Sequence, residues 1–319
     1  MSKLTTAGPL ATLLLGTCLL AAPPVMAEDP EELSRAMRVA AAIDDDDELV
    51  VLIDRGANVN AANSFGKTAL MNAVENGNLV AASMLISMGA DVNARMVDGC
   101  TALTFAAENG QSELTALLLE RGADVEARTR SGLTALMLAA RYGEVEMTEQ
   151  LLFKGIRVDP VDKDGMDALM LAAARGHTKV VALLLDGGAD PKAQDKKGRS
   201  ALIHAASEEG NAPTLALLLE AGAQINGQAK DRSTALIWAA GNGHTDSVKL
   251  LLQQGAAINH QDADGLSALM EAVVANSPET VRLLIGQGAD ASLKDIDGKT
   301  ALAMASRKPD IRLILEASQ

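Results

Sequence analysis

One sequence feature limits this chain more than any other: it repeats itself every 33 residues. A Thr/Ser-Ala-Leu tripeptide begins at Thr68, Thr101, Thr134, Ser200, Thr234, Ser267 and Thr300, and Asp167-Ala168-Leu169 fills the gap between the third and fourth. The steps are 33, 33, 33, 33, 34, 33 and 33 residues. A second landmark follows the first by 21 residues in most copies, as Gly89-Ala90-Asp91, Gly122-Ala123-Asp124, Gly188-Ala189-Asp190 and Gly288-Ala289-Asp290, with Gly255-Ala256-Ala257 as a variant. A unit of this size cannot bury a core by itself, so each must pack on its neighbours in a linear stack. The repeat accounts for nearly all of the 319 residues and leaves little chain for a catalytic domain.

The residues of one unit predict its shape. Thr68 suits a helix N-cap, where its hydroxyl accepts from a free backbone N–H. Ala69 to Asn76 reads as a short helix of Ala, Leu and Met, stopped by Gly77, since glycine tolerates the left-handed conformation that ends helices. Leu79 to Ser87 reads as a second helix with an apolar face of Leu79, Ala82, Leu85 and Ile86, ended by Gly89. Val92 begins an extended finger that turns back through Asp98-Gly99, a favoured tight-turn pair. Helices this short are unstable alone, which again demands stacking.

With these residues in view, the chain resembles the ankyrin repeat family. The resemblance rests on Gly-x-Thr-Ala-Leu at the unit starts, on Ala106-Ala107, Ala139-Ala140 and Ala205-Ala206 in the first helices, on Leu-Leu in the second, and on Gly-Ala-Asp-Val-Asn at Gly89 to Asn93. It covers residues 31–319 and implies an all-α solenoid of about nine helix–turn–helix–finger units. The expected organisation is a cleaved leader over 1–27, an N-terminal capping repeat over 28–62, seven full repeats over 63–294 and a C-terminal capping repeat over 295–319. The sequence departs from the family in three ways. Ala replaces the family's Pro at Ala69, Ala102, Ala135 and later copies. The family's His is replaced by Met71, Thr104, Met137, Met170, Ile203, Ile237, Met270 and Ala303, so its bonds to the finger must be absent or replaced. Arg232 stands where other finger turns carry Gly, which predicts one distorted turn. The single 34-residue step predicts a bulge near Ser207-Glu208-Glu209-Gly210, at the end of a first helix.

The first 27 residues read as an address. Lys3 precedes an apolar run from Leu10 to Ala22, Pro23-Pro24 breaks it, and Val25-Met26-Ala27 fits a small-x-small cleavage pattern. The run is shorter than the roughly 20 apolar residues of a membrane span. A Sec signal peptide cut after Ala27 is expected, delivering the chain to the periplasm or beyond, with no membrane insertion after cleavage. Cleavage removes Cys18 and leaves Cys100 as the only thiol, which excludes an internal disulfide.

Charge and composition exclude several functions. With 42 acidic and 28 basic residues the net charge is −14, a field that repels nucleic acid. Aromatics are 2%, too few for a base-stacking platform. Four histidines, no two closer than 16 residues in sequence, do not make a metal site. His177 and His244 each follow the Gly ending a first helix and read as framework, while His204 and Trp238 share a slot with Leu138 and Leu171 and read as packing whose polar tips need partners. His260 stands alone in a finger. Met84/Met88 and Met166/Met170 have a spacing that would suit Cu(I), but Met71, Met137, Met170 and Met270 recur in one slot, as core fillers do. Cys100 has no basic neighbour in sequence to activate it, and Asp44 to Asp47 read as a solvated helix-capping turn rather than a calcium loop. No nucleophile triad or phosphate loop stands out, so the chain is expected to be no enzyme and to need no cofactor.

The informative signal is the placement of basic residues. In ankyrin-like stacks the finger tips and first-helix ends line the concave face. Mapped onto that frame, the central units contribute Arg128, Arg130, Arg141, Lys163, Arg175, Lys196, Lys197, Arg199 and Lys230, with Leu133, Tyr142 and Met166 among them. Few acids oppose them: Asp164, Glu208 and Asp231. The second helices carry the acidic excess, including Glu113, Glu120, Glu144, Glu146 and Glu149. The expected function is a protein-interaction scaffold: a monomer binding a protein with an acidic patch through its concave face, with Tyr142 as anchor. The alternatives are an inhibitor or immunity-type protein that blocks an enzyme, and a secreted effector that binds a host protein.

Overall fold

The computed structural model describes residues 29–317; the expected leader and its cleavage site lie outside them. Eighteen α-helices follow one another in pairs along the described chain. The pairs begin with Pro30–Ala42 and Asp46–Asp54, then Ala69–Glu75 and Leu79–Ser87, and Ala102–Glu108 and Ser112–Glu120. The central pairs are Ala135–Tyr142 with Val145–Phe153, Ala168–Ala173 with Thr178–Asp186, and Ala201–Ala206 with Ala212–Glu220. Ala235–Gly241 with Thr245–Gln253, Ala268–Val274 with Pro278–Gly286, and Ala301–Met304 with Pro309–Glu316 complete the series. Among the described residues the fingers form no named strand, only two isolated antiparallel bridges, Gln194 to Ser200 and Gln261 to Ser267.

Repetition of sequence becomes repetition of contacts. First helices pack on first helices of the next unit, and second helices on second helices, so the stack has two layers. The first-helix slots Leu70, Leu103, Leu136, Leu169, Leu202, Leu236 and Leu269 are all buried, as are the Ala residues flanking them. Small Ala side chains let these short helices approach closely, and the Met71, Met137, Met170 and Met270 slot is buried as a core filler. In the first full unit the buried face is Ala81, Ala82, Leu85 and Ile86, while Leu79 sits exposed at the helix start rather than in the expected apolar face.

The cap slot works as the sequence predicts. The hydroxyls of Thr68, Thr101, Thr134, Thr234, Ser267 and Thr300 and the carboxylate of Asp167 accept from the backbone N–H three residues on, whereas Ser200 makes no such bond. The acidic run behaves likewise: Asp45 caps Asp46–Asp54 by accepting from Glu48 N at 3.1 Å.

The fingers are tied together without the family's His. Each tip donates one backbone bond to the preceding tip: Val97 N to Phe65 O (2.9 Å), Lys163 N to Ser131 O (3.0 Å), Lys196 N to Asp164 O (2.9 Å), Lys230 N to Lys197 O (2.9 Å) and Ile296 N to Asp264 O (3.0 Å). Arg130 N bonds Asp98 O in the same way. Asn60 and Asn93 clamp one finger to the next, each donating to a glycine carbonyl and accepting from a backbone N–H of the following unit. Second-helix starts also reach back: His177 Nε2 lies 3.1 Å from Arg141 O, His244 Nδ1 lies 3.3 Å from Ala206 O, and Asn211 donates to Ala173 O and Ala205 O. The two histidines are therefore inter-unit ties, in keeping with the framework reading.

Two turns show what the tips demand. At Gly99 the backbone has φ +84°, and a Cβ there would lie 2.7 Å from Arg128 O, so glycine is required by both conformation and space. Arg232 occupies the matching position with φ +63°, and its N–H closes the turn on Ala229 O at 2.9 Å, as Gly99 N does on Met96 O. The expected distortion is absent: the side chain accepts left-handed strain of about 1–2 kcal/mol and the turn keeps its form. The extra residue of the 34-residue step lies between Ala206 and Gly210, in the turn between helices, where the sequence places it.

Candidate functional site

Clefts open between the first helices and the fingers along one side of the stack, which together make up its trough. One recess in it is a cleft of about 440 Å³ between the Ala102–Glu108 and Ala135–Tyr142 helices and the fingers before and after them. Arg130, Leu133, Arg141, Tyr142 and Lys163 line it together. Five of the residues singled out from the sequence thus meet in one place. The floor is apolar, with Leu133 and Leu138 buried, and the rim is charged. Tyr142 ends its helix and is 42% exposed, its hydroxyl donating to Glu108 Oε1 at 3.2 Å. The Arg141 guanidinium lies 5.9 Å from the Tyr142 ring centroid, within reach of a cation–π contact. Asp98 and Glu108 also line the cleft, so three cations face two carboxylates, a balance that mapping only the central units missed. Glu108 occupies the helix-end slot of Arg141 one unit earlier, which is the signal that would have found it.

The other singled-out residues lie elsewhere. Arg175, Lys197 and Lys230 are exposed on the following units. Arg128 is occupied in the framework, donating from Nη1 to Val161 O at 2.9 Å, and Lys196 donates its ammonium to Lys163 O. Met166 is half-buried against the core. Arg199 is held by Asp195, its Nε at 3.0 Å and Nη2 at 2.9 Å from Oδ2.

Asp195 is the centre of a buried polar network. Its side chain is 1% exposed; Oδ1 accepts from Lys197 N (2.8 Å) and Arg199 N (2.9 Å), and His204 Nε2 lies 3.0 Å from Oδ2. Burial works against the Asp195 anion, but the backbone donors and the Arg199 charge outweigh it and hold the carboxyl below its usual range. Burial, aided by the Arg199 charge, pushes the His204 imidazole below its ordinary value. This is the partner that His204 was expected to need. Trp238 in the next unit finds one too: Nε1 donates to Ser233 Oγ at 2.8 Å, and Ser233 Oγ donates to Asp231 Oδ1 at 2.5 Å. Trp238 lines a second cleft of about 280 Å³ with Asp231, Asp262 and Glu271. Burial and nearby Asp262 raise the Glu271 carboxyl.

Cys100 sits on the edge of the first cleft and is half-buried rather than exposed. Burial, reinforced by the Asp98 carboxylate, pushes its thiol up to about 11, so the reactive thiolate is scarce. Among the described residues no group of three or more His, Cys, Asp or Glu is arranged to hold a metal ion.

A family model described as "Ankyrin repeats (3 copies)" matches residues 37–129, 127–195, 179–262, 202–295 and 236–317, which together cover nearly all of the described chain. The chain belongs to the ankyrin repeat family. A search of curated proteins returned no match. Family membership accounts for the architecture and for the general role of an ankyrin stack as a protein-interaction scaffold. Among the described residues no helix is long and apolar enough to cross a membrane.

Proposed function

We propose that this ankyrin stack is exported to the periplasm or beyond and binds a protein partner through its trough, with the Tyr142 cleft as anchor. The observation that carries the reading is the meeting of Arg130, Arg141 and Lys163 around an exposed tyrosine above an apolar floor. Aromatic and Arg side chains in a recess are the usual anchors of protein interfaces. Three cations at its rim, in a protein of net charge −14, favour a partner that presents an acidic patch to this spot. The action proposed is binding rather than catalysis: no histidine lines the cleft, and burial with the Asp98 carboxylate keeps its thiol protonated.

The test compares capture by the native chain with capture by a variant carrying Arg130→Glu, Arg141→Glu, Arg175→Glu and Lys197→Glu, both first shown to be folded by circular dichroism. A partner held by the native protein and lost by the variant supports the reading. Equal capture by both moves the interface to another face.

A further inference from the structure

The finger position four residues before each helix cap repeats along the stack as Ser64, Val97, Arg130, Lys163, Lys196, Lys230, Ala263 and Ile296. Four consecutive tips are basic, in a chain where acids outnumber bases 42 to 28. The backbone N–H groups of all four are bonded to the preceding finger, so these tips are fixed in register and their amides are not open to a partner. None of the four forms an ion pair among the described residues, while Lys67, Arg157, Arg199, Lys299 and Arg312 each do. Lys196 lies along the row, its ammonium on Lys163 O. The neighbouring tip position carries Ser131, Asp164, Lys197 and Asp231, which leaves the row positive overall. Exposed apolar residues bracket the basic run, Val97 at 75% and Ile296 at 72%.

We propose that this row seats an extended acidic segment of the partner, running along the stack from finger to finger and presenting a carboxylate at about every third residue. The proposal rests on the reading that this face binds a protein. Packed helices lie roughly 8–10 Å apart, which sets the step between units. A polyproline helix advances about 9 Å per three-residue turn and returns every third side chain to the same side, so one carboxylate per unit falls in register. Addition of a strand to the fingers is excluded because the tip amides are already bonded. A docked helix needs an apolar groove, and the row offers single charged tips instead.

The test uses fluorescence anisotropy with the full chain and three labelled 12-residue peptides: (Glu-Pro-Pro)4, an isomer with its four Glu contiguous, and a Gln version of the first. The spaced peptide is expected to bind at least tenfold more tightly than the block isomer, and the Gln peptide not at all. The Lys163→Ser/Lys196→Ser/Lys230→Ser variant is expected to lose at least tenfold for the spaced peptide, whereas Phe153→Ala, on the outer layer, changes it less than twofold. A Lys163→Glu/Lys196→Glu/Lys230→Glu variant should instead bind (Lys-Pro-Pro)4. Equal affinity for the spaced and block peptides, or no loss in the Ser variant, overturns the register. If no peptide binds while the partner is still lost on charge reversal, the row fails and the trough reading stands. If no peptide binds and capture survives charge reversal, both fail.

Discussion

Among the repeats from Thr68 to Thr300, Asp167 is the one carboxylate in the first-helix cap slot, which otherwise holds Thr or Ser, and it is 6% exposed. Burial raises its pKa from 3.8 to about 6, against the opposing pull of the Met170 and Leu169 backbone donors. A shift of this size corresponds to about 3 kcal/mol at 25 °C. Between these values the folded chain holds more proton than the unfolded chain, so stability falls as pH rises from about 4 to 6 and the cost is fully present above that window. Asp167→Thr installs the neighbouring units' cap. It removes the burial cost but exchanges the 2.8 Å carboxylate bond to Met170 N for a hydroxyl bond of the kind Thr68 makes at 3.3 Å, which offsets about 1 kcal/mol of the gain. The net expectation is about 2 kcal/mol of stabilisation at pH 7.5, shrinking to zero or reversing at pH 4. Urea unfolding of both proteins at several pH values measures this, and Thr134→Asp supplies the converse in the adjacent unit. A difference that does not change with pH, or an Asp protein more stable than the Thr variant at pH 7.5, refutes the reasoning.

Further outcomes follow from the same geometry. Asp195→Ala leaves Arg199 and His204 without their acceptor and should cost about 2–4 kcal/mol by denaturant unfolding, unlike a surface Asp→Ala change such as Asp297→Ala. His204→Leu should flatten the acid limb of stability below pH 6.5: the folded imidazole resists protonation, so the native chain loses stability there as pH falls, the opposite sign to Asp167. Arg232→Gly should stabilise by up to about 1 kcal/mol, the relief of left-handed strain less the extra chain entropy of glycine, with no change in the neighbouring finger amides by NMR. Cys100 should alkylate about 100-fold more slowly at pH 8 than an unperturbed thiol, and Asp98→Asn should recover part of that rate; full reactivity in the native protein would contradict the raised thiol pKa.

The helical stack was legible because the period, the Thr caps and the terminal glycines act locally: Thr68 reaches only Met71, and the short helices can be stable only when stacked. Contacts between units were less legible. Nothing in the sequence around Asp195 announces His204, which reaches it only after the chain has turned through the Gly198 tip into the next helix. Arg128 and Arg130 are two residues apart and both basic, yet one is tied to Val161 O and the other lines the cleft. Charge type was readable from the sequence, but the occupation of each charge was not. The Arg232 turn shows the reverse case: propensity predicted distortion, and the bond to Ala229 O together with the neighbouring tips enforced the regular form.

The central claim is that the trough around Tyr142 is the binding face. A photoreactive residue placed at Ser131, which lines the cleft, reports on it without removing any proposed contact. The matched control is Phe153, 89% exposed at the end of an outer-layer helix. The account predicts a crosslinked partner from position 131 that is absent when Arg130 and Arg141 are reversed to Glu, and none from position 153. Crosslinking from 153 alone, or crosslinking from 131 that survives the charge reversal, would contradict it.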